Sequence, residues 1–166
     1  MTSGASVTEL EELYRSRYRH FLHVAKLISG DRERAHDAVQ EGFAAALRGR
    51  KAYRGAGPLE AWVWRAVVNV ARKQATAGRP APLDTRDEPA VGEEPSDGRV
   101  VRAWIAALPE RQRLAVFLRY YADFDYRSIA DVLEIEVGTV SATLSAAHRT
   151  LRRALQEVVP RSTSSR

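Results

Sequence analysis

Apolar residues recur every three or four positions along most of the chain, the period of helices with one buried face. Leu10, Leu13, Tyr14, Tyr18, Phe21, Leu22, Ala25 and Ile28 form one such stripe, and Thr8 followed by Glu11 predicts a capping box at its start. Gly30 and Asp31 predict a stop and a new cap. A second helix then runs to about Gly49, with Ala35, Ala38, Val39, Phe43, Ala46 and Leu47 inward. Residues 50–57 read as a loop. Pro58 suits the first turn of a third helix whose apolar face is Leu59, Trp62, Val63, Ala66, Val67 and Val70.

The periodicity stops between residues 78 and 98, where four prolines and several acids accompany almost no large apolar side chain. Such a segment cannot bury enough surface to order itself and reads as a linker. Treated as a flexible tether, it spans on the order of 25 Å and leaves the blocks on either side with no fixed separation. The pattern resumes with Val100, Val101, Trp104, Ile105 and Leu108, and Pro109 opens a further helix carrying Leu114, Phe117, Leu118 and Tyr121. Asp125 is placed to cap a short helix with Ile129, Ala130 and Leu133 inside. After a turn over residues 134–137, a last helix is expected to bury Val140, Leu144, Ala147, Leu151 and Leu155. That is helix-turn-helix spacing: small Ala130 lets two helices approach, Ile135 plugs the turn, and Val140 locks the second helix across the first. Glu134 stands where such turns often have Gly, which implies strain if φ is positive. The predicted fold is all-α: two small helical domains, 1–77 and 99–159, an acidic flexible linker over 78–98, and a frayed tail over 160–166.

Charge changes this picture because it is unevenly spread. The whole chain of 166 residues carries +5. Residues 48–79 hold eight basic residues against Glu60 alone, residues 84–98 sum to −5, and residues 138–166 to +4. Two polyanion-facing regions therefore flank an acidic one. With zero cysteines, disulfides, thiolate zinc, iron–sulfur clusters and cysteine nucleophiles are excluded. No window offers the roughly 18 apolar residues of a membrane span and the start lacks a signal-peptide pattern, so a cytoplasmic protein without membrane insertion is expected. His20 and His23 lack a third ligand and read as surface imidazoles, so no metal or cofactor is expected. Neither a phosphate-cradling glycine loop nor a nucleophile–base pair is visible, and no enzymatic activity is expected.

The ordered motifs resemble those of the extracytoplasmic-function (ECF) sigma factors, the smallest members of the sigma-70 family of bacterial transcription initiation factors. Asp37, Gln40, Glu41 and Phe43 match the D-x-x-Q-E-x-F pattern of that family's region 2. A basic loop and a tryptophan-rich helix, Trp62-Val63-Trp64-Arg65 through Asn69, follow it. Leu108-Pro109 with Arg113, then Phe117-Leu118-Arg119-Tyr120-Tyr121, then Tyr126 to Ala130 and Gly138-Thr139-Val140 match region 4. The resemblance implies that Asp37, Gln40, Glu41 and Phe43 meet the clamp of the largest subunit of core RNA polymerase, and that region 4 meets the flap of the second-largest. It implies an anti-sigma factor as a candidate partner, a linker threaded through the polymerase cleft, and nucleoid association within holoenzyme.

Holding an opened strand requires cations for the backbone and π-faces or pockets for unstacked bases. Lys51, Tyr53, Arg54, Trp64, Arg65, Asn69, Arg72 and Lys73 supply these, and the resemblance assigns them to the minus-10 promoter element. Trp62 shares the apolar stripe and reads as core, Trp64 as exposed; Asn69 fits either DNA or a buried backbone group. The resemblance assigns the minus-35 element to Ser141, Ala142, Ser145, Ala146 and Arg149, with Thr139, Arg127, Arg152 and Arg153 suited to phosphates. Small residues at positions 141 and 146, where the family commonly has Arg or Lys, leave base reading to Ser hydroxyls, thymine-methyl contacts, Arg149 and DNA shape. The expected activity is promoter-specific initiation, with recognition of both elements and assistance in strand opening. A stand-alone helix-turn-helix regulator and a polymerase-binding adaptor without promoter function share parts of the pattern.

Overall fold

The computed structural model describes residues 4–76 and 96–158. Its elements are α1 (Val7–Ser29), α2 (Arg32–Gly49), a 3₁₀ turn (Arg50–Ala52), α3 (Leu59–Thr76), α4 (Ser96–Ala107), α5 (Glu110–Tyr120), α6 (Tyr126–Leu133) and α7 (Val137–Val158). All regular structure among the described residues is helical. Most of the 78–98 segment and the 160–166 tail lie outside them, and α4 begins at Ser96, three residues inside the segment expected to be linker.

The capping box lies two residues earlier than the sequence predicts. Ser6 has extended backbone at the N-cap, its Oγ accepts from Glu9 N–H at 3.1 Å, and Glu9 Oε2 accepts from Ser6 N–H at 2.8 Å. Thr8 is already inside the first turn, where a helical residue cannot serve as the cap. Gly30 ends α1 at φ 73°, donating to Lys26 O at 2.7 Å, and Asp31 caps α2 by accepting from Arg34 N–H at 2.9 Å. Gly42 sets the approach of α2 to α3: a Cβ there would sit 2.6 Å from Val67 Cγ2 and 2.7 Å from Val67 Cα. Leu47, expected inward, is 40% exposed near the C-terminal end of α2.

In the C-terminal half α5, α6 and α7 close around Leu114, Leu118, Ile129, Val140 and Leu144, each almost fully buried. Asp125 caps α6, accepting from Ser128 N–H at 2.7 Å, and that bond holds its carboxyl below the usual range. Glu134 adopts φ 55°, ψ 47°, the left-handed conformation that the turn demands. Leu155, expected inside, is 52% exposed, since α7 extends past the helices that cover its first half.

The largest departure is between the halves. They were expected to be separate bodies on a tether, yet they share one apolar core. The cause lies in α3. Besides Val63 and Val67, it buries Ala61, Trp64, Val68 and Ala71, spaced three, four and three residues apart. This apolar arc is wider than one face, and α3 packs against α1 and α2 and also against α6. Trp64 stacks on Phe21 of α1 at 4.2 Å and meets Phe124, just before α6, edge-on at 6.5 Å. His20 and His23, read as surface imidazoles, lie half-buried against the rings of Tyr121 and Phe117, at centroid distances of 4.7–5.3 Å. Arg113 completes the joint. Its guanidinium donates to Ala106 O at 2.8 Å and across the halves to Leu27 O at 3.1 Å.

Candidate nucleic-acid interface

Three surfaces carry the residues singled out by sequence. On α2, Asp37, Gln40 and Glu41 are exposed and line one groove with Ala44, Arg48 and Gln74, open to about 500 Å³. The i, i+4 spacing of the two carboxylates puts them on one helix face, where they can accept charge-assisted hydrogen bonds from a basic partner helix. Phe43 does not belong to that surface. It is 9% exposed and meets Tyr14 and Phe21 edge-on at 5.0 and 4.9 Å, so it sets the orientation of α2 from within the core.

The second surface is the loop between α2 and α3 together with the start of α3. Tyr53 donates its hydroxyl to Gly57 O at 2.5 Å, closing the loop into a ring whose aromatic wall is completed by Trp62, 5.6 Å from Tyr53. Tyr53, Trp62, Arg54, Arg65 and the backbone around Pro58 enclose a pocket of about 300 Å³. Aromatic faces flanked by guanidinium groups suit an unstacked base joined to a phosphate backbone. Lys51, Asn69 and Lys73 are exposed along the same region, and the exposure of Asn69 excludes the alternative in which it satisfies a buried backbone group. Arg72 is half-buried and drawn toward Glu110 of α5 at 2.9 Å.

The two tryptophans exchange their expected roles. Trp64, assigned to DNA, is fully buried against Phe21, and its indole N–H donates to Glu60 Oε1 at 3.3 Å. Trp62, assigned to the core, is partly exposed and walls the pocket. The physical reason is the second packing partner of α3: contact with Phe124 and α6 makes the Trp64 side of the helix the deeper one. The run Ala61, Trp64, Val68, Ala71 was the sequence signal for this.

The third surface is α7 with the exposed side of α6. Ser141, Ala142, Ser145, Arg149, Arg152, Arg153 and Arg127 are exposed, while Thr139 and Ala146 are half-buried. Between Gly138 and His148 the helix carries no Arg or Lys, so its first three turns present small and hydroxyl side chains, with the cations clustered further along. His148 shares a hydrogen bond with Tyr120 Oη at 2.8 Å. Among the described residues no group of three metal-binding side chains occurs, and no helix is long and apolar enough to cross a membrane.

Residues 13–79 match the family model for Sigma-70 region 2, and residues 99–157 match that for Sigma-70, region 4. Among curated proteins, the chain is similar to the ECF RNA polymerase sigma-E factor of Escherichia coli K12, 29% identical over an alignment of 169 positions. That alignment covers 87% of this chain and 86% of the relative. The RNA polymerase sigma-H factor of Pseudomonas aeruginosa is 29% identical over 148 positions, covering 78% and 77%. Among solved structures, the sigma factor RpoE of Bartonella quintana, crystallised with the anti-sigma factor NepR, shares the fold at a TM-score of 0.74 and 18% identity. It covers 90% of this chain and 98% of that one. CnrH, solved in complex with the cytosolic domain of CnrY, shares it at 0.69 and 19% identity, covering 93% and 92%.

Proposed function

Since the chain belongs to the sigma-70 family, as an ECF sigma factor built from regions 2 and 4, its function is that of an RNA polymerase sigma factor, and we propose how its surfaces divide that work. The family is not one of enzymes; in this reading the polymerase performs the chemistry, the chain has no catalytic activity of its own, and it acts in the cytoplasm, joining the nucleoid within holoenzyme. The groove of Asp37, Gln40 and Glu41 docks a basic helix of the polymerase clamp. The loop and α3 take the minus-10 strand: Tyr53, Trp62, Arg54 and Arg65 receive an unstacked base and its phosphates, and Lys51, Asn69, Arg72 and Lys73 follow the backbone. Ser141, Ala142, Ser145, Ala146 and Arg149 face the minus-35 major groove, Thr139, Arg127, Arg152 and Arg153 meet phosphates, and the exposed remainder of region 4 meets the flap. An anti-sigma factor is a further partner in this reading, because the structural neighbour RpoE was captured with one, NepR.

The observation that supports this reading most is a juxtaposition. One helical module presents an acid and amide groove on α2 and an aromatic, cationic pocket at the head of α3, the chemistries of a protein partner and of a single strand. A stand-alone regulator would have no use for the first. The test is a pull-down with core polymerase. Asp37→Lys with Glu41→Lys is expected to reduce binding at least tenfold with an unchanged melting temperature, whereas unchanged binding would remove the α2 groove from the interface.

A further inference from the structure

The outward face of α7 is assigned to DNA by the helix-turn-helix geometry and the region 4 match, and its chemistry decides which bases it can read. In the major groove guanine is held by a donor that meets O6 and N7 together, a task for Arg or Lys, and adenine by the paired groups of Asn or Gln. Residues 137–148 contain none of these four side chains. Thymine alone presents an apolar group in that groove, its C5 methyl.

Local hydrogen bonds take up most of the remaining donors. Thr143 Oγ1 donates to Thr139 O at 2.7 Å and Thr150 Oγ1 to Ala146 O at 3.1 Å, so both hydroxyl protons are committed within the helix. His148 is half-buried and shares its Nε2 with Tyr120 Oη. Over the first turns the exposed side chains are Val137, at 46%, Ala142, and the single hydroxyls of Ser141 and Ser145. A hydroxyl has one proton and cannot satisfy both guanine acceptors. At the head of the helix, where the Glu136 carbonyl accepts from Thr139 and Val140 N–H, the exposed Glu136 side chain adds another acceptor. Arg149 is the first side chain able to hold a guanine. It follows Ser141 by eight residues, about 12 Å along the axis at 1.5 Å per residue, which is the full width of the groove.

We propose that the first turns of α7 select A·T pairs through thymine methyls, with Val137 and Ala142 as the contacting residues, and that the upstream element carries no guanine readout except opposite Arg149. This deepens the minus-35 assignment above and rests on it. A G·C pair set against this surface loses water from O6 and N7 and gains no protein donor in return, whereas a thymine methyl against Val137 or Ala142 exchanges water for an apolar contact. Both effects favour the same base pair. Selection therefore comes from rejection of G·C as much as from attraction of thymine.

The test uses the full chain assembled with core polymerase to select tight binders from random duplex DNA. The best binder is then rebuilt with deoxyuridine for each thymine of the upstream element, which removes only the C5 methyl, or with 7-deazaguanine for each guanine, which removes N7. Deoxyuridine is expected to weaken holoenzyme binding about fourfold for each contacted thymine, the effect of one buried methyl group. 7-Deazaguanine is expected to weaken it at no more than one position, the one facing Arg149. In the same selection Ser141→Arg is expected to add a guanine to the element. Binding indifferent to deoxyuridine, two or more guanines whose N7 is required, or no new guanine with Ser141→Arg would each overturn the proposal while leaving the sigma-factor reading in place. A holoenzyme that selects no upstream element at all would remove the minus-35 assignment, and the proposal with it.

Discussion

Helices α3 and α7 are both amphipathic and both carry surfaces proposed above to read DNA, but they are placed by different forces. In α7 the residues that pack inward, Val140, Leu144 and Ala147, form the single stripe that a helix-turn-helix needs, and the outward residues follow from it directly. In α3 the apolar arc serves two neighbours at once, so which aromatic is buried depends on a partner more than fifty residues away in the chain. One buried face can be read from periodicity; two competing faces cannot be ranked without knowing what covers each.

The tryptophans give the sharpest way to break this comparison. Trp64→Ala removes a fully buried indole stacked on Phe21 and is expected to cost about 3–5 kcal/mol in urea denaturation. Trp62→Ala is expected to leave most of the stability intact while weakening single-strand binding. Equal destabilisation by the two would mean that α3 does not present one tryptophan inward and one outward. Gly42→Ala is next in size. Its new Cβ would meet Val67, including its backbone, so a loss of about 1–3 kcal/mol is expected from overpacking between α2 and α3.

In the turn before α7 the expected effect is smaller and opposite in sign. Glu134→Gly relieves a left-handed residue and is expected to raise stability by about 1 kcal/mol, seen as an upward shift of the melting temperature. The smallest effect concerns the joint. Burial first, then Arg17 and His23, lower the His20 pKa, Glu60 opposes them, and the Tyr121 ring faces the imidazole. A lowered imidazole pKa means that the separated state binds the proton more readily. The docked state is thus fully favoured above the usual value of 6.5 and loses stability as pH falls below it. Small-angle scattering is expected to show a larger radius of gyration at pH 5.5 than at 7.5, and a flat profile for His20→Leu.

Much of the architecture was legible because local chemistry and periodicity agreed. Gly30, Asp31 and Asp125 mark helix ends where they were expected, and Glu134 adopts a positive φ, at which a non-glycine residue is strained. The first cap was displaced to Ser6 because two hydroxyl residues compete near the start and both have a Glu three positions on. Leu155 fits its stripe but lies where the helices covering α7 have ended, and Leu47 fits its stripe yet stays exposed near the end of α2. Phe43 fits both a motif and a core stripe, and packing with Tyr14 and Phe21 decides for the core. The joint between halves was hidden for a different reason. Several of its members, His20, His23, Arg113 and Asp131, are polar residues that a one-dimensional pattern assigns to solvent, and only the fold brings them together.

The central claim is that this chain directs core RNA polymerase to defined promoters. Transcription in vitro with core enzyme on a fragmented library of genomic DNA, with 5′ ends mapped, tests it most directly. The account predicts starts at a restricted set of sites sharing a two-part asymmetric motif, present only when the chain is added. Random starts, or starts indistinguishable from those of core enzyme alone, would contradict it.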